Sequence, residues 1–166
     1  MLIEENGVRV LTDPGNYTTA QDTVTGIHYV VISHEHTDHL HVESVKTVLK
    51  NNPGAKVITN ASVGKILDKE GIPYIKVSHG DTYDAGGVEI AGHGETHAPI
   101  YRDYEQVENT GYLFDKRLFN PGDAFFKPDA PVDILAFPVA GPWCTIEEAV
   151  DYAIAVKPRV AFGIHD

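Results

Sequence analysis

Apolar residues along the chain fall into short segments separated by polar or glycine-rich breaks, which predicts many short strands. The segments 2–5 and 8–12 flank Asn6-Gly7. This dipeptide between apolar segments predicts a β-hairpin, because both of its residues readily adopt a positive φ. The segment 27–33 is almost wholly apolar, which predicts a strand buried on both faces.

Helical spacing in one segment and capping signals in two others predict three helices. Residues 42–49 carry it up to the stop signal Asn51-Asn52-Pro53-Gly54, and Ser62 is predicted to cap a second helix that ends at Gly71. A capping box at 145–148 opens a third helix through about Val156. Short apolar segments predict further strands at 56–59, 74–77, 88–91, 110–114, 117–119, 134–139 and 159–164. This order predicts one α/β domain over residues 1–166, with mixed sheets covered by helices.

Composition and charge narrow the range of functions. The chain has 166 residues and a formal net charge of −11 with only 13 Lys and Arg, which disfavours a nucleic-acid partner. It has no apolar run of the ~20 residues that span a bilayer and no signal-peptide pattern at its start. Its single cysteine, Cys144, cannot form an internal disulfide. We therefore expect a cytoplasmic protein that acts on a small molecule, with an oligomeric state that the sequence leaves open.

Three histidines and an aspartate follow the predicted strand at 27–33 within six residues, 34–39. Imidazole nitrogen and carboxylate oxygen are ligands that zinc prefers. Alternate side chains after a strand point the same way, so His34 and His36 can converge on one ion. Asp38 and His39 lie past the bend and can face a second ion, about 3.5–4 Å from the first in two-metal hydrolases. Glu35 and Thr37 are interpreted as spacers that face away.

These residues and three later positions resemble the metallo-β-lactamase superfamily of metal-dependent hydrolases. The motif His-x-His-x-Asp-His is met at 34–39, and the later positions are His97 in Gly-Glu-Thr-His-Ala, Asp123 in Asn-Pro-Gly-Asp and His165 in Gly-Ile-His-Asp. The resemblance covers nearly the whole chain and implies the αββα sandwich of that superfamily. The segments 13–15, 108–113 and 140–143 resemble a branch with lactonase-like members. Relatives extend further at both ends, so we expect a minimal member or one trimmed at both termini.

The resemblance also implies a ligand set for two divalent metal ions that share one carboxylate. Zinc is the first expectation, and Mn²⁺ and Fe²⁺ suit the same ligands. The first ion would be held by His34, His36 and His97, the second by Asp38, His39 and His165, and both would be bridged by Asp123. Asp38 would also be catalytic, because it could orient the nucleophile and accept its proton.

Two assignments stay open at the level of sequence. His93 lies four residues before His97 and is the alternative third ligand, although the Ala-Pro-Ile after His97 and the later Asn-Thr-Gly-Tyr match the family spacing. Asp13 is either an ordinary turn residue before Pro14 or a carboxylate that orients a ligating imidazole. The remaining histidines, His28, His41 and His79, are interpreted as structural or surface residues.

The expected function is a dinuclear hydrolase in which a metal-bridging hydroxide attacks a small ester, lactone or phosphoester. True β-lactamases of this fold usually carry a cysteine where Asp123 stands, which disfavours antibiotic hydrolysis as the main role. The alternative is a metal- or ligand-binding module of the same fold that does not turn over a substrate.

Overall fold

In the computed structural model, which describes residues 1–102 and 104–165, the chain forms two β-sheets and three α-helices. The first sheet contains, in both chain and spatial order, β1 (Leu2–Glu5), β2 (Val8–Thr12), β3 (Tyr29–Ile32), β4 (Lys56–Thr59) and β5 (Tyr74–Lys76). β1 and β2 are antiparallel, and the strands from β2 to β5 are parallel. The predicted hairpin is confirmed, because Asn6 and Gly7 connect β1 and β2 with φ of 51° and 79°.

The second sheet runs in the reverse of chain order from one edge to the other. Its strands are β6 (Thr82–Asp84), β7 (Glu89–His93), β8 (Gly111–Phe114), β9 (Leu118–Asn120), β10 (Ile134–Pro138) and β11 (Val160–Ile164). The strands β6 to β9 are antiparallel, whereas β9, β10 and β11 are parallel. The helices are α1 (Val42–Asn51), α2 (Ala61–Lys69) and α3 (Ile146–Val156).

The two sheets pack against each other, and the helices cover their outer faces. Val31 of β3 and Ile90 of β7 belong to one buried apolar cluster, which lies between the sheets. Val48 of α1 is buried with residues of β3 and β4 in a second cluster, and Tyr152 of α3 is buried with residues of β8, β9 and β10 in a third. This αββα arrangement is the fold that the resemblance implies. No helix in the described part of the chain is long and apolar enough to cross a bilayer.

The apolar segment of β3 has the predicted burial on both faces. Val31 packs between the sheets, whereas Val30 and Ile32 face the helices α1 and α2. All three side chains are at most 1% exposed. Polar residues begin directly after this strand, so the loop that carries the histidine motif emerges from a deeply buried strand end.

The predicted start of α2 is wrong by two residues. Asn60, not Ser62, is the N-cap, and its side chain accepts a hydrogen bond from the backbone N–H of Val63 at 3.1 Å. Ser62 lies inside the first turn, and its hydroxyl is hydrogen-bonded to the carboxylate of Glu35. Asn60 directly follows β4, so the chain enters the helix without a connecting loop. The capping box of α3 is present as predicted, with Thr145 and Glu148 satisfying each other's backbone N–H groups.

The segment 13–16 packs closely against the loop that carries the histidine motif. The N–H of Asn16 donates to the carbonyl of Thr37 at 2.9 Å, and the N–H of His41 donates to the carbonyl of Pro14 at 3.0 Å. A Cβ atom on Gly15 would lie 1.7 Å from the carbonyl oxygen of Asp38. Only glycine therefore allows the two segments to approach at this distance.

Substitution of Gly15 by alanine should force these two segments apart. We expect Gly15→Ala to lower the free energy of unfolding by about 3 kcal/mol, because the clash is with backbone atoms that cannot rotate away. Denaturant unfolding in the presence of a chelator measures this loss.

Gly87→Ala is the matched control, because Gly87 has a φ of +94° but open space around its Cβ position. It should cost about 1 kcal/mol from backbone strain alone. Equal losses in the two variants would contradict the role assigned to the close approach.

Candidate metal centre

The structure brings all seven predicted site residues together at one end of the two sheets. They form a three-histidine cluster (His34, His36 and His97) and a mixed cluster (Asp38, His39, Asp123 and His165). Within each cluster, one potential ligand atom of every residue lies within 4.8 Å of the others. The residues come from the loops that follow β3, β7, β9 and β11. Binding sites in α/β folds are commonly found at such strand ends.

Asp123 lies between the two clusters and contacts both. Its Oδ1 is 3.1 Å from Nε2 of His39. Its Oδ2 is 3.4 Å from Nε2 of His97 and 3.3 Å from Nε2 of His165. Nε2 of His165 is also 3.0 Å from Oδ2 of Asp38. The side chain of Asp123 is almost completely buried, so a single carboxylate with little exposure to solvent connects the two clusters.

Three buried atoms at the centre have no partner in hydrogen-bonding geometry among the described residues. They are Nε2 of His39, Nε2 of His97 and Oδ1 of Asp123. Buried polar atoms in folded proteins are nearly always paired. Imidazole nitrogen and carboxylate oxygen are the donors that zinc and similar divalent ions prefer. The residues present therefore fit the metal ions that the resemblance implies.

The electrostatics of the centre point in the same direction. Burial by itself lowers the pKa of His39, but contacts with Asp123 and Asp13 outweigh burial and raise this pKa to about 10. Burial opposes ionisation of Asp123, yet its contacts with His39 and His97 hold its pKa well below the usual range. Burial, followed by the nearby His39, keeps the pKa of His34 well below its ordinary value, so His34 stays neutral. The centre thus pairs an ionised carboxylate with a protonated His39, whose proton a divalent cation would displace on binding.

In two of the histidines, the ring nitrogen that faces away from the centre forms a hydrogen bond with a group outside the clusters. Nδ1 of His97 donates to the carbonyl of Ala98 at 2.6 Å, and Nδ1 of His165 donates to the carbonyl of Ala140 at 2.6 Å. These contacts direct each Nε2 atom toward the centre. Hydrogen bonds of this kind fix the tautomer and the ring orientation of ligating histidines.

Nδ1 of His39 lies 3.4 Å from the hydroxyl of Ser33 and at the same distance from the carboxylate of Asp13, and both interpretations that the sequence leaves open for Asp13 hold. Asp13 has a φ of 46°, as a turn residue can have. Its Oδ2 is 3.4 Å from Nδ1 of His39. Its Oδ1 accepts hydrogen bonds from the backbone N–H of Ser33 at 2.7 Å and from the hydroxyl of Ser33 at 3.0 Å. The turn therefore places a carboxylate behind a candidate ligand.

Two further residues at the centre have no signal in the sequence alone. Ser33 has its hydroxyl 3.0 Å from Nδ1 of His34. Asn109 is 1% exposed, accepts a hydrogen bond from the backbone N–H of Asp123 at 3.0 Å and donates to the carbonyl of Pro121 at 2.9 Å. Asn109 lies in the segment 108–113 that resembles the family, but only its position beside Asp123 reveals its role.

His93 lies away from both clusters. Its ring packs 5.7 Å from that of Phe119 and 6.2 Å from that of Phe126. His97, in contrast, is 2% exposed, and its ring centroid lies 5.0 Å from that of His34. The geometry therefore favours His97 over His93 as the third member of the cluster.

A cavity of about 1080 Å³ opens onto the clusters. Its wall includes Glu35 and Thr37, which we predicted to face away from the site, and also Trp143. Neither residue belongs to a ligand cluster, as expected of spacers, but both border the cavity instead of facing away from it. Glu35 is held there by the hydroxyl of Ser62.

Comparisons with known proteins agree with this fold. The family described as the beta-lactamase superfamily domain matches residues 1–165. Protein Rv0786c of Mycobacterium tuberculosis is 36% identical over 170 residues, covering 99% of this chain and 79% of that protein. A UPF0173 metal-dependent hydrolase of Thermoplasma acidophilum is 26% identical over 147 residues, covering 82% of this chain and 64% of that protein. The solved structure of the metallo-beta-lactamase fold protein YhfI from Bacillus subtilis covers 99% of this chain and 76% of that chain, with a TM-score of 0.68 and 14% identity.

The choice between the two neighbouring histidines can be tested directly. We expect His97→Ala to lose at least one equivalent of bound divalent metal, because its Nε2 faces the centre, and His93→Ala to retain the wild-type content. Elemental analysis of both purified variants measures this. Retention of metal in His97→Ala with loss in His93→Ala would reverse the assignment.

Removal of the carboxylate behind His39 should weaken metal binding without removing a ligand. We expect Asp13→Ala to lower metal affinity about 10- to 100-fold, because the imidazole loses the group that orients it. Competition with a chromophoric chelator measures the affinity. Asp151→Ala, which changes an exposed carboxylate on α3, is the control and should bind as the wild type does. Wild-type affinity in Asp13→Ala would show that the contact does not orient the ligand.

Proposed function

The chain belongs to the beta-lactamase superfamily and is a metal-dependent hydrolase, and on that premise we propose that it uses two divalent ions to cleave a small ester, lactone or phosphoester. One observation carries the proposal. Seven potential ligands lie in two clusters, the buried carboxylate of Asp123 in one cluster is 3.4 Å from His97 of the other, and three of the seven residues have an atom without a partner in hydrogen-bonding geometry among the described residues.

We assign the first ion to the three-histidine cluster and the second to Asp38, His39 and His165, with Asp123 shared by both. The donor set favours zinc, and Mn²⁺ or Fe²⁺ would suit the same atoms. When bound, such ions lower the pKa of a coordinated water to about 7 and polarise the oxygen of the substrate.

The chain's own residues supply positioning and proton transfer. Asp38 lies on the cavity wall with its Oδ2 held 3.0 Å from Nε2 of His165. We propose that this carboxylate orients the attacking nucleophile and accepts its proton. The cavity is open to solvent on one side and large enough for a small substrate.

Cys144 does not serve as a nucleophile in this proposal. Burial, followed by the negative charge of Asp123, raises the pKa of its thiol above the ordinary value. The reactive thiolate is therefore scarce near neutral pH. This supports a mechanism in which the nucleophile is water and not a side chain.

The proposal predicts both a metal content and an activity. Protein purified without chelator should carry two equivalents of divalent metal and turn over at least one substrate in a screen of carboxylic esters, lactones and phosphodiesters. Asp38→Ala should lower that turnover about 10²- to 10⁴-fold, since this is the contribution typical of a general base. Elemental analysis and initial rates measure the two quantities.

Each outcome of this experiment has a defined meaning. Asp129→Ala changes a carboxylate that belongs to neither cluster and should keep the wild-type metal content and rate. Fewer than about half an equivalent of metal would contradict a dinuclear centre, because most of the protein would then lack a pair of ions. Two equivalents of metal without turnover of any substrate would favour the alternative, a binding module of the same fold that is not catalytic.

A further inference from the structure

The loop of residues 139–145, which follows β10, forms hydrogen bonds with two of the candidate ligands but contributes none itself. The indole N–H of Trp143 donates to Oδ2 of Asp123 at 3.0 Å. The carbonyl of Ala140 accepts the hydrogen bond from Nδ1 of His165. One loop therefore contacts both the shared carboxylate and an imidazole of the mixed cluster.

The contact from Trp143 differs in kind from the other contacts of the Asp123 carboxylate. Among the described residues, its other side-chain contacts are with His39, His97 and His165, which are all candidate ligands. When a cation is bound, the nitrogen atoms of these histidines would contact the cation and no longer the carboxylate. The indole N–H is a donor only, so it cannot bind a cation or take up a proton. Its hydrogen bond is the one side-chain contact of this carboxylate that metal binding would leave in place.

The position of this donor determines which way the carboxylate is turned. Oδ2, the oxygen that accepts from Trp143, faces His97 of one cluster and His165 of the other. Oδ1 faces His39. Rotation of the carboxylate would move Oδ2 away from the position between the clusters and would leave the indole N–H without its acceptor.

The indole itself is held on two sides. Its ring packs 5.3 Å from the ring of Phe125 and 5.6 Å from that of His97, measured between centroids. At Gly141 a Cβ atom would lie 2.9 Å from the indole nitrogen, so the backbone of the loop also lies directly against the donor. The N–H group therefore has little freedom to leave Asp123.

We infer that Trp143 is a positioning residue of the metal centre, because its indole N–H holds the carboxylate of Asp123 with one oxygen between the two clusters. This inference rests on the proposed function, since it concerns the carboxylate that would bridge the two ions.

An isosteric replacement can remove the donor and keep the ring. Trp143 is the only tryptophan in the chain, so biosynthetic replacement of tryptophan by β-(3-benzothienyl)alanine, which carries sulfur in place of the N–H, alters this position alone. We expect the affinity for Zn²⁺ to fall about 10- to 100-fold, as for other groups that orient ligands. The melting temperature in the presence of chelator should fall by no more than the loss of one side-chain hydrogen bond causes, because the packing of the ring is retained. Trp143→Phe should show the same loss of affinity.

A matched control separates positioning from general packing. Tyr152→Phe removes a hydrogen bond to the carbonyl of Phe126 in the apolar cluster beneath the same loop. It should lower the melting temperature in chelator but leave Zn²⁺ affinity unchanged. Affinity is measured by chelator competition, and stability by thermal unfolding with and without chelator.

The outcomes distinguish this inference from the proposed function. If the wild-type protein binds none of Zn²⁺, Mn²⁺ and Fe²⁺, both are contradicted. If the wild type binds Zn²⁺ and the benzothienyl protein binds it equally well, the inference alone is overturned. If the benzothienyl protein loses affinity only together with an equal loss of stability in chelator, Trp143 has a structural role and the inference is again wrong.

Discussion

The carboxylate of Asp123 is the constraint on which the rest of the structure depends. It is buried at the point where the ends of the two sheets meet, and its oxygens contact imidazoles from the loops after β3, β7 and β11. A buried ionised carboxylate is costly unless it is paired and hydrogen-bonded. Strands that are far apart along the chain must therefore end at the same place for this group to be tolerated. The apolar cluster between the sheets stabilises that arrangement, because it fixes how one sheet lies on the other.

A layer of neutral or acidic groups surrounds this carboxylate and fixes the atoms that face it. Asn109 holds the backbone of Asp123, and Asp13 lies behind His39. Gly122 has a φ of +62°, and a Cβ at this position would lie 2.3 Å from Oδ1 of Asn109. Close packing of backbone against polar side chains is thus a requirement of the centre. Such layers commonly set the affinity and the basicity of metal ligands.

The sequence predicted the candidate site better than it predicted the surroundings of that site. The spacing of His34, His36, Asp38 and His39 after an apolar strand indicates metal chemistry without any knowledge of the fold. His97 and His165 could be found only through the resemblance, because isolated histidines carry no signal of their own. The start of α2 was placed at Ser62 because serine and asparagine are both good N-caps. The choice between them depends on where β4 ends, which a local pattern does not determine.

What the sequence determined by itself was local. It specified the hairpin at Asn6-Gly7, the buried strand β3, the capping box of α3 and the ligand types of the motif, because each depends on residues a few positions apart. Tertiary structure decided which distant side chains meet at Asp123, that Glu35 borders the cavity, and that the indole of Trp143 reaches the carboxylate from a loop twenty residues further along. Those outcomes depend on how two sheets pack and where their strands end. Packing of this kind is the sum of many contacts across the whole chain, and no short segment of the sequence contains it.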